Sequence, residues 1–163
     1  MLPTIKRILY ASDLGQHSRP AFRHTVNEAL VHGAHIIFVH AIEPLHDLTD
    51  DYIKDYVPTQ PGVKHSEQLL DTQKLRIQHR IESFLQQELS NTGALQQPIE
   101  IKIAIGRPYK AIVATAEREQ VDLIVMGDRE SNSLSRLFLG STAQKVIHQS
   151  TVPVTIIPLA KGS

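Results

Sequence analysis

At 163 residues the chain is long enough for roughly 70% of its extended-chain surface to be buried on folding, so it needs no covalent or metal staple. It contains no cysteine, which removes disulfides, thiolate zinc sites and cysteine nucleophiles, and 17 Lys+Arg balance 17 Asp+Glu, which gives no reason to expect a polyanion or an acidic membrane as partner. The opening MLPTIKRILYASD has too short an apolar run for a signal peptide and no stretch approaches membrane-spanning length, so the expectation is a soluble cytoplasmic protein.

Ile5 to Ala11 is a short β-branched run ending in Ser12-Asp13-Leu14-Gly15, a strand followed by a turn. Ser18 is the expected N-cap of a first helix. Pro20 stands in its first turn, Phe22, Val26 and Ala29-Leu30 recur at helical spacing, and Gly33 sits where a left-handed cap belongs. His35 to Ile42 is nearly continuous in apolar residues and reads as a strand buried on both faces. Residues 43–65 hold Asp47, Asp50, Asp51 and Asp55 among prolines and Gly62, the composition of a long surface connection, with a helical turn conceivable around Tyr52 to Tyr56.

From Ser66 a long helix carries Leu70, Ile77, Ile81, Phe84, Leu85 and Leu89 on one stripe before Gly93 ends it. Ile99 to Ile105 alternates as a strand near a sheet edge. Gly106-Arg107-Pro108 turns into a helix from Tyr109 to Glu119, with Ile112, Val113 and Ala116 inward. Asp122 to Met126 forms a fourth strand that delivers the chain to Gly127. Ser141 to Gln149 reads as a helix with Ala143, Val146 and Ile147 inward, and Val152 to Ile157 as a last strand. Pro153 within it argues for an edge position, because proline cannot donate to a ladder. Five strands alternating with four helices make parallel pairing through right-handed crossovers the economical solution. The expected fold is α/β: a three-layer, doubly wound, open parallel five-stranded sheet in a single domain over residues 1–163.

Ligands of such sheets sit beyond the carboxyl ends of the strands, where the winding direction reverses. Asp13 ends the first strand and can accept hydrogen bonds from a base or ribose, while Gly127 ends the fourth, where a bulky side chain would block approach. Gly140-Ser141-Thr142 opens the last helix, either as an anion site with two added hydroxyls or as an ordinary hydroxyl-capped helix start. Neither the P-loop nor the dinucleotide fingerprint occurs. The nine histidines have no ligand spacing, and His35 and His40 fall between apolar strand neighbours. The aspartates of 43–65 lack the glycine and glutamate of a calcium loop. No metal site is expected.

Three segments, ILYASDLGQHSRPAF, GRPYKAIVATAEREQVDLIVMG and LGSTAQKVIHQSTVPVTIIP, together resemble the universal stress protein family over nearly the whole chain. The resemblance implies strand order 3-2-1-4-5, the adenine nucleotide alpha hydrolase-like fold, and a homodimer paired through Val152 to Ile157. Nucleotide-binding members carry G-x-x-G, nine residues, then G-[ST]. Here Gly127, nine residues from Ser131 to Leu139, and Gly140-Ser141 keep that spacing, while Glu130 stands in place of the second glycine. The resemblance further implies that Asp13 meets the adenosine, that Ala41 lines the adenine side, and that Arg129 and Thr142 lie along the phosphates of ATP, with Mg²⁺ as an accompanying ion. The function it implies is a stress-response protein that binds ATP or a related adenine nucleotide in a regulatory role, with at most slow hydrolysis. The competing expectation is a nucleotide-free interaction protein of the same fold. An adenylating or pyrophosphatase-type enzyme ranks below both, because the serine-glycine-glycine signature after the first strand is absent.

Overall fold

The computed structural model describes residues 1–15, 18–43, 63–90, 95–128 and 139–159. In chain order the elements are β1 (Arg7–Ala11), α1 (Arg19–His32), β2 (His35–Ile42), α2 (Val63–Leu89), β3 (Glu100–Ile105), α3 (Pro108–Arg118), β4 (Leu123–Asp128), α4 (Ser141–Gln149) and β5 (Val154–Pro158). The five strands form one all-parallel sheet in the order β3-β2-β1-β4-β5, the order and the doubly wound α/β class expected from the sequence. The winding direction reverses between β1 and β4, so the switch point lies at their carboxyl ends.

Alternation along the central strand divides the core in two. Ile8 and Tyr10 face a cluster with Phe38 of β2, Phe22 and Val26 of α1, and Ile81 and Leu85 of α2. Leu9 and Ala11 face the opposite cluster with Ile37, Val39, Ile112, Ala116, Ala143 and Val146, drawn in part from α3 and α4. Each fully buried large side chain of these sets is worth about 1.5–3 kcal/mol of transfer free energy. Four rings tie the first cluster together: Tyr10 stands edge-on to Phe38 at 5.0 Å, and Phe22 meets Phe84 at 5.1 Å.

Turns and caps explain where the elements stop. Gly33 takes φ +63° at the end of α1, and Gly106 takes φ +137° between β3 and α3, conformations in which a side chain would be strained. Pro108 occupies the first turn of α3, where its missing N–H costs nothing. Asp122 is not a strand residue but a clamp. Its Oδ2 accepts from the backbone N–H groups of Lys6 (2.7 Å) and Arg7 (2.9 Å), which sets the start of β1 beside β4.

Several sequence-based expectations need correction. Helix α2 begins at Val63, three residues before Ser66. Leu30 (43% exposed) and Ile147 (41% exposed) lie outside the packed stripes, because each stands one residue, or 100° of helix, beyond an inward neighbour, Ala29 and Val146 respectively. Ser18 holds the cap position of α1 without capping it: its hydroxyl donates backward to the Gly15 carbonyl at 2.9 Å. Strand β5 starts after Pro153, whose carbonyl accepts from the Ile124 N–H at 3.0 Å, so its edge position follows from the sheet order and not from a proline inside it. Strand β4 runs two residues past Met126, bringing Gly127 and Asp128 into the ladder opposite Ile157 and Pro158. The expectations for Asp47, Asp50, Asp51, Asp55, the turn at Tyr52 to Tyr56, Gly93, Arg129 and Glu130 fall outside the described residues. No helix among the described residues is long and apolar enough to cross a membrane.

Candidate functional site

The turn after β1 is held by its own side chains. Ser12 Oγ accepts from the Leu14 N–H at 3.0 Å and Asp13 Oδ1 from the Gly15 N–H at 2.7 Å, two consecutive side-chain hooks on the backbone two residues ahead. Between them Leu14 is forced to φ +58°, an unfavourable value for a branched residue. Its buried side chain and its carbonyl, which accepts from Arg80 Nη2 at 2.7 Å, over-determine that conformation. The result is an exposed Asp13 on a rigid turn at the switch point.

Tyr10 supports this turn from beneath. Its hydroxyl donates to the Ser18 carbonyl at 3.1 Å, and burial pushes the phenol up to about 12, so it remains a protonated donor at neutral pH. At the end of β2, His40 Nδ1 lies 2.8 Å from the Ser12 carbonyl. A carbonyl only accepts, so Nδ1 carries the proton and, in the neutral ring, Nε2 is left as the acceptor.

Across the switch point, Asp128 ends β4 and reaches forward: the Gly140 N–H donates to its Oδ1 at 3.1 Å. Gly140 is the N-cap position of α4 and has no side chain to cap the helix, so Asp128 brings the carboxylate to this start, where the helix dipole favours negative charge. Gly127 stands against Leu159 at the cleft wall. A Cβ there would come within 2.7 Å of Leu159 Cδ1, so a side chain would first displace Leu159.

These elements surround one cleft of about 360 Å³. It is lined by Asp13, Ala41, Gly127, Gly140, Ser141 and Thr142, which are all the expected site residues that lie within the described part of the chain. Val39, Ile112 and Met126 supply apolar wall, a surface suited to a flat aromatic group. Tyr10, Ser12, His40, Asp128 and Leu159 also line the cleft and were not singled out from sequence. The one sequence signal at Asp128 is its place directly after the motif glycine Gly127, which marks it as near the cleft and not as a cap. His40 gave none, because a histidine inside an apolar strand reads as a packed residue. Charged side chains on the described lining are both acidic, Asp13 and Asp128.

The sequence profile of the universal stress protein family matches residues 4–158. A universal stress protein of Thermus aquaticus is 34% identical over 152 residues, covering 93% of this chain and 98% of that protein. Among solved structures, the universal stress protein UspA from Lactobacillus plantarum superposes with a TM-score of 0.71 at 22% identity, covering 96% of this chain and 99% of that one. The universal stress protein from Archaeoglobus fulgidus in complex with dAMP superposes with a TM-score of 0.56 at 21% identity, covering 95% and 99%. With the family profile spanning all five strands and the Thermus relative matching nearly end to end, the chain belongs to the universal stress protein family.

Proposed function

We propose that this protein is a cytoplasmic stress-response homodimer of single-domain subunits, whose cleft binds ATP or a related adenine nucleotide as a regulatory ligand, with hydrolysis slow or absent. The observation that carries the reading is the convergence of Asp13, Ala41, Gly127, Gly140, Ser141 and Thr142 on one cleft at the switch point. The dAMP complex of the Archaeoglobus relative supports the same ligand class. In this reading Asp13 accepts from ribose hydroxyls, Ala41 leaves room for the adenine, and Ser141 and Thr142 offer donors to the phosphates. Arg129 and a Mg²⁺ ion carried with the nucleotide would offset phosphate charge. Denaturing freshly purified protein and weighing what is released tests it: an adenine nucleotide is expected, and a cleft that neither releases nor takes up one at millimolar concentration would refute it.

The nucleotide-free reading draws on one specific observation, the Asp128 carboxylate already accepting from the Gly140 N–H at the start of α4. The same uptake measurement decides between the two.

The homodimer is proposed through β5. This strand is an outer strand of the sheet, and its apolar residues divide between both core clusters, Val154 and Ile156 on one side and Ile157 on the other, each only partly buried. An edge of that kind invites pairing with its own copy. Ile156→Lys is expected to shift the protein from dimer to monomer at micromolar concentration in analytical ultracentrifugation. A wild-type protein that sediments as a monomer there would rule the pairing out.

A further inference from the structure

The phosphate end of the cleft is the place where its chemistry and the proposed ligand disagree. The N-terminus of α4 carries roughly half a positive charge, the feature that would draw a phosphate. Here that charge faces Asp128, whose Oδ1 accepts from the Gly140 N–H at 3.1 Å. Asp128 is half-buried at the end of β4, held in the ladder opposite Pro158, so the carboxylate is carried by a strand and not by a loose tether. The second charged side chain on the described lining is Asp13, also an acid, and no lysine or arginine lies among the described lining residues. A phosphate entering next to Gly140 therefore meets one carboxylate on its preferred donor, with a second, Asp13, also on the lining, while an uncharged nucleoside meets neither penalty.

We propose that Asp128 is a selectivity residue that weakens the cleft's hold on a phosphate, so that removing its charge tightens a nucleotide relative to its nucleoside. The inference rests on the adenine-ligand reading above and specifies which side chain sets the balance between nucleotide and nucleoside. Arg129 and Arg136 lie outside the described residues, and they are the same in wild type and variant, so a comparison at position 128 isolates the carboxylate. Asp128→Asn keeps an oxygen able to accept from Gly140 and removes the charge.

The test is calorimetric titration with adenosine and with AMP at pH 7.5 in EDTA. The readout is the ratio Kd(AMP)/Kd(adenosine), compared between wild type and variant. In Asp128→Asn it is expected to fall about five- to tenfold, because the phosphate dianion loses its nearest like charge. Asp128→Ser, with a neutral hydroxyl acceptor, is expected to move the ratio the same way and serves if the asparagine variant folds poorly. A ratio unchanged in both variants while adenosine still binds overturns the selectivity role and leaves the adenine-ligand reading standing. If neither compound binds at millimolar concentration, that reading falls and this inference falls with it.

Discussion

Replacing Glu130 with glycine is expected to tighten ATP binding about five- to fifty-fold, equivalent to about 1 to 2.3 kcal/mol. Glu130 lies outside the described residues; in the sequence it stands three residues after Gly127 and two after Asp128, where the family's nucleotide-binding motif has its second glycine. Glycine at that position opens positive φ and close backbone approach, which glutamate resists. Two like charges about 6 Å apart, at an effective dielectric between protein surface and water, repel by on the order of 1 kcal/mol, which sets the scale of what removing a carboxylate near a phosphate would relieve. Mg²⁺ enters because a divalent ion between carboxylate and phosphate turns repulsion into bridging. The gain should therefore be larger in EDTA than in magnesium. Calorimetric titrations of both proteins with ATP, with and without Mg²⁺, check it; unchanged or weaker binding by the glycine variant would sink this account of the loop.

Phe38→Ala is expected to destabilise the protein by about 3–5 kcal/mol. Phe38 is fully buried on β2, with its ring edge-on to Tyr10 at 5.0 Å and its centroid 6.2 Å from those of both Phe22 and Phe84. Truncation removes the transfer free energy of the ring and leaves a cavity that three other aromatic side chains cannot fill without leaving their own contacts. Phe38→Leu keeps most of the volume and should cost under about 1.5 kcal/mol. Urea unfolding measures both, with an unchanged m-value expected if two-state behaviour holds. The effect reaches the cleft through Tyr10, which packs on Phe38 and donates to the Ser18 carbonyl at the turn that carries Asp13. A cost below about 1 kcal/mol for Phe38→Ala would show that the four rings do not form a packed unit.

Much of this architecture is legible locally because it is set by short-range sterics and periodicity. The apolar runs of β1, β2 and β4, the left-handed Gly33 and the N-terminal Pro108 each need only neighbours in the chain to be read. The strand order was available only through the family resemblance, since alternation implies a parallel sheet without stating which strands are neighbours. The acidic cap on α4 was not readable at all. An aspartate after a glycine looks like the start of a turn, and Asp128 becomes a cap only because β4 continues through it and brings Gly140, twelve residues on, within 3.1 Å. His40 is a similar case: its proton position follows from the Ser12 carbonyl 28 residues away, which parallel pairing of β1 with β2 sets beside it. By itself the sequence determined which segments are strands and helices, and it singled out Asp13, Gly127 and Gly140, which the fold brings to one cleft. Only the tertiary structure decided which carboxylates face the same cleft and which donors are already in use, because those depend on hydrogen bonds between residues far apart in the chain, and no local pattern encodes them.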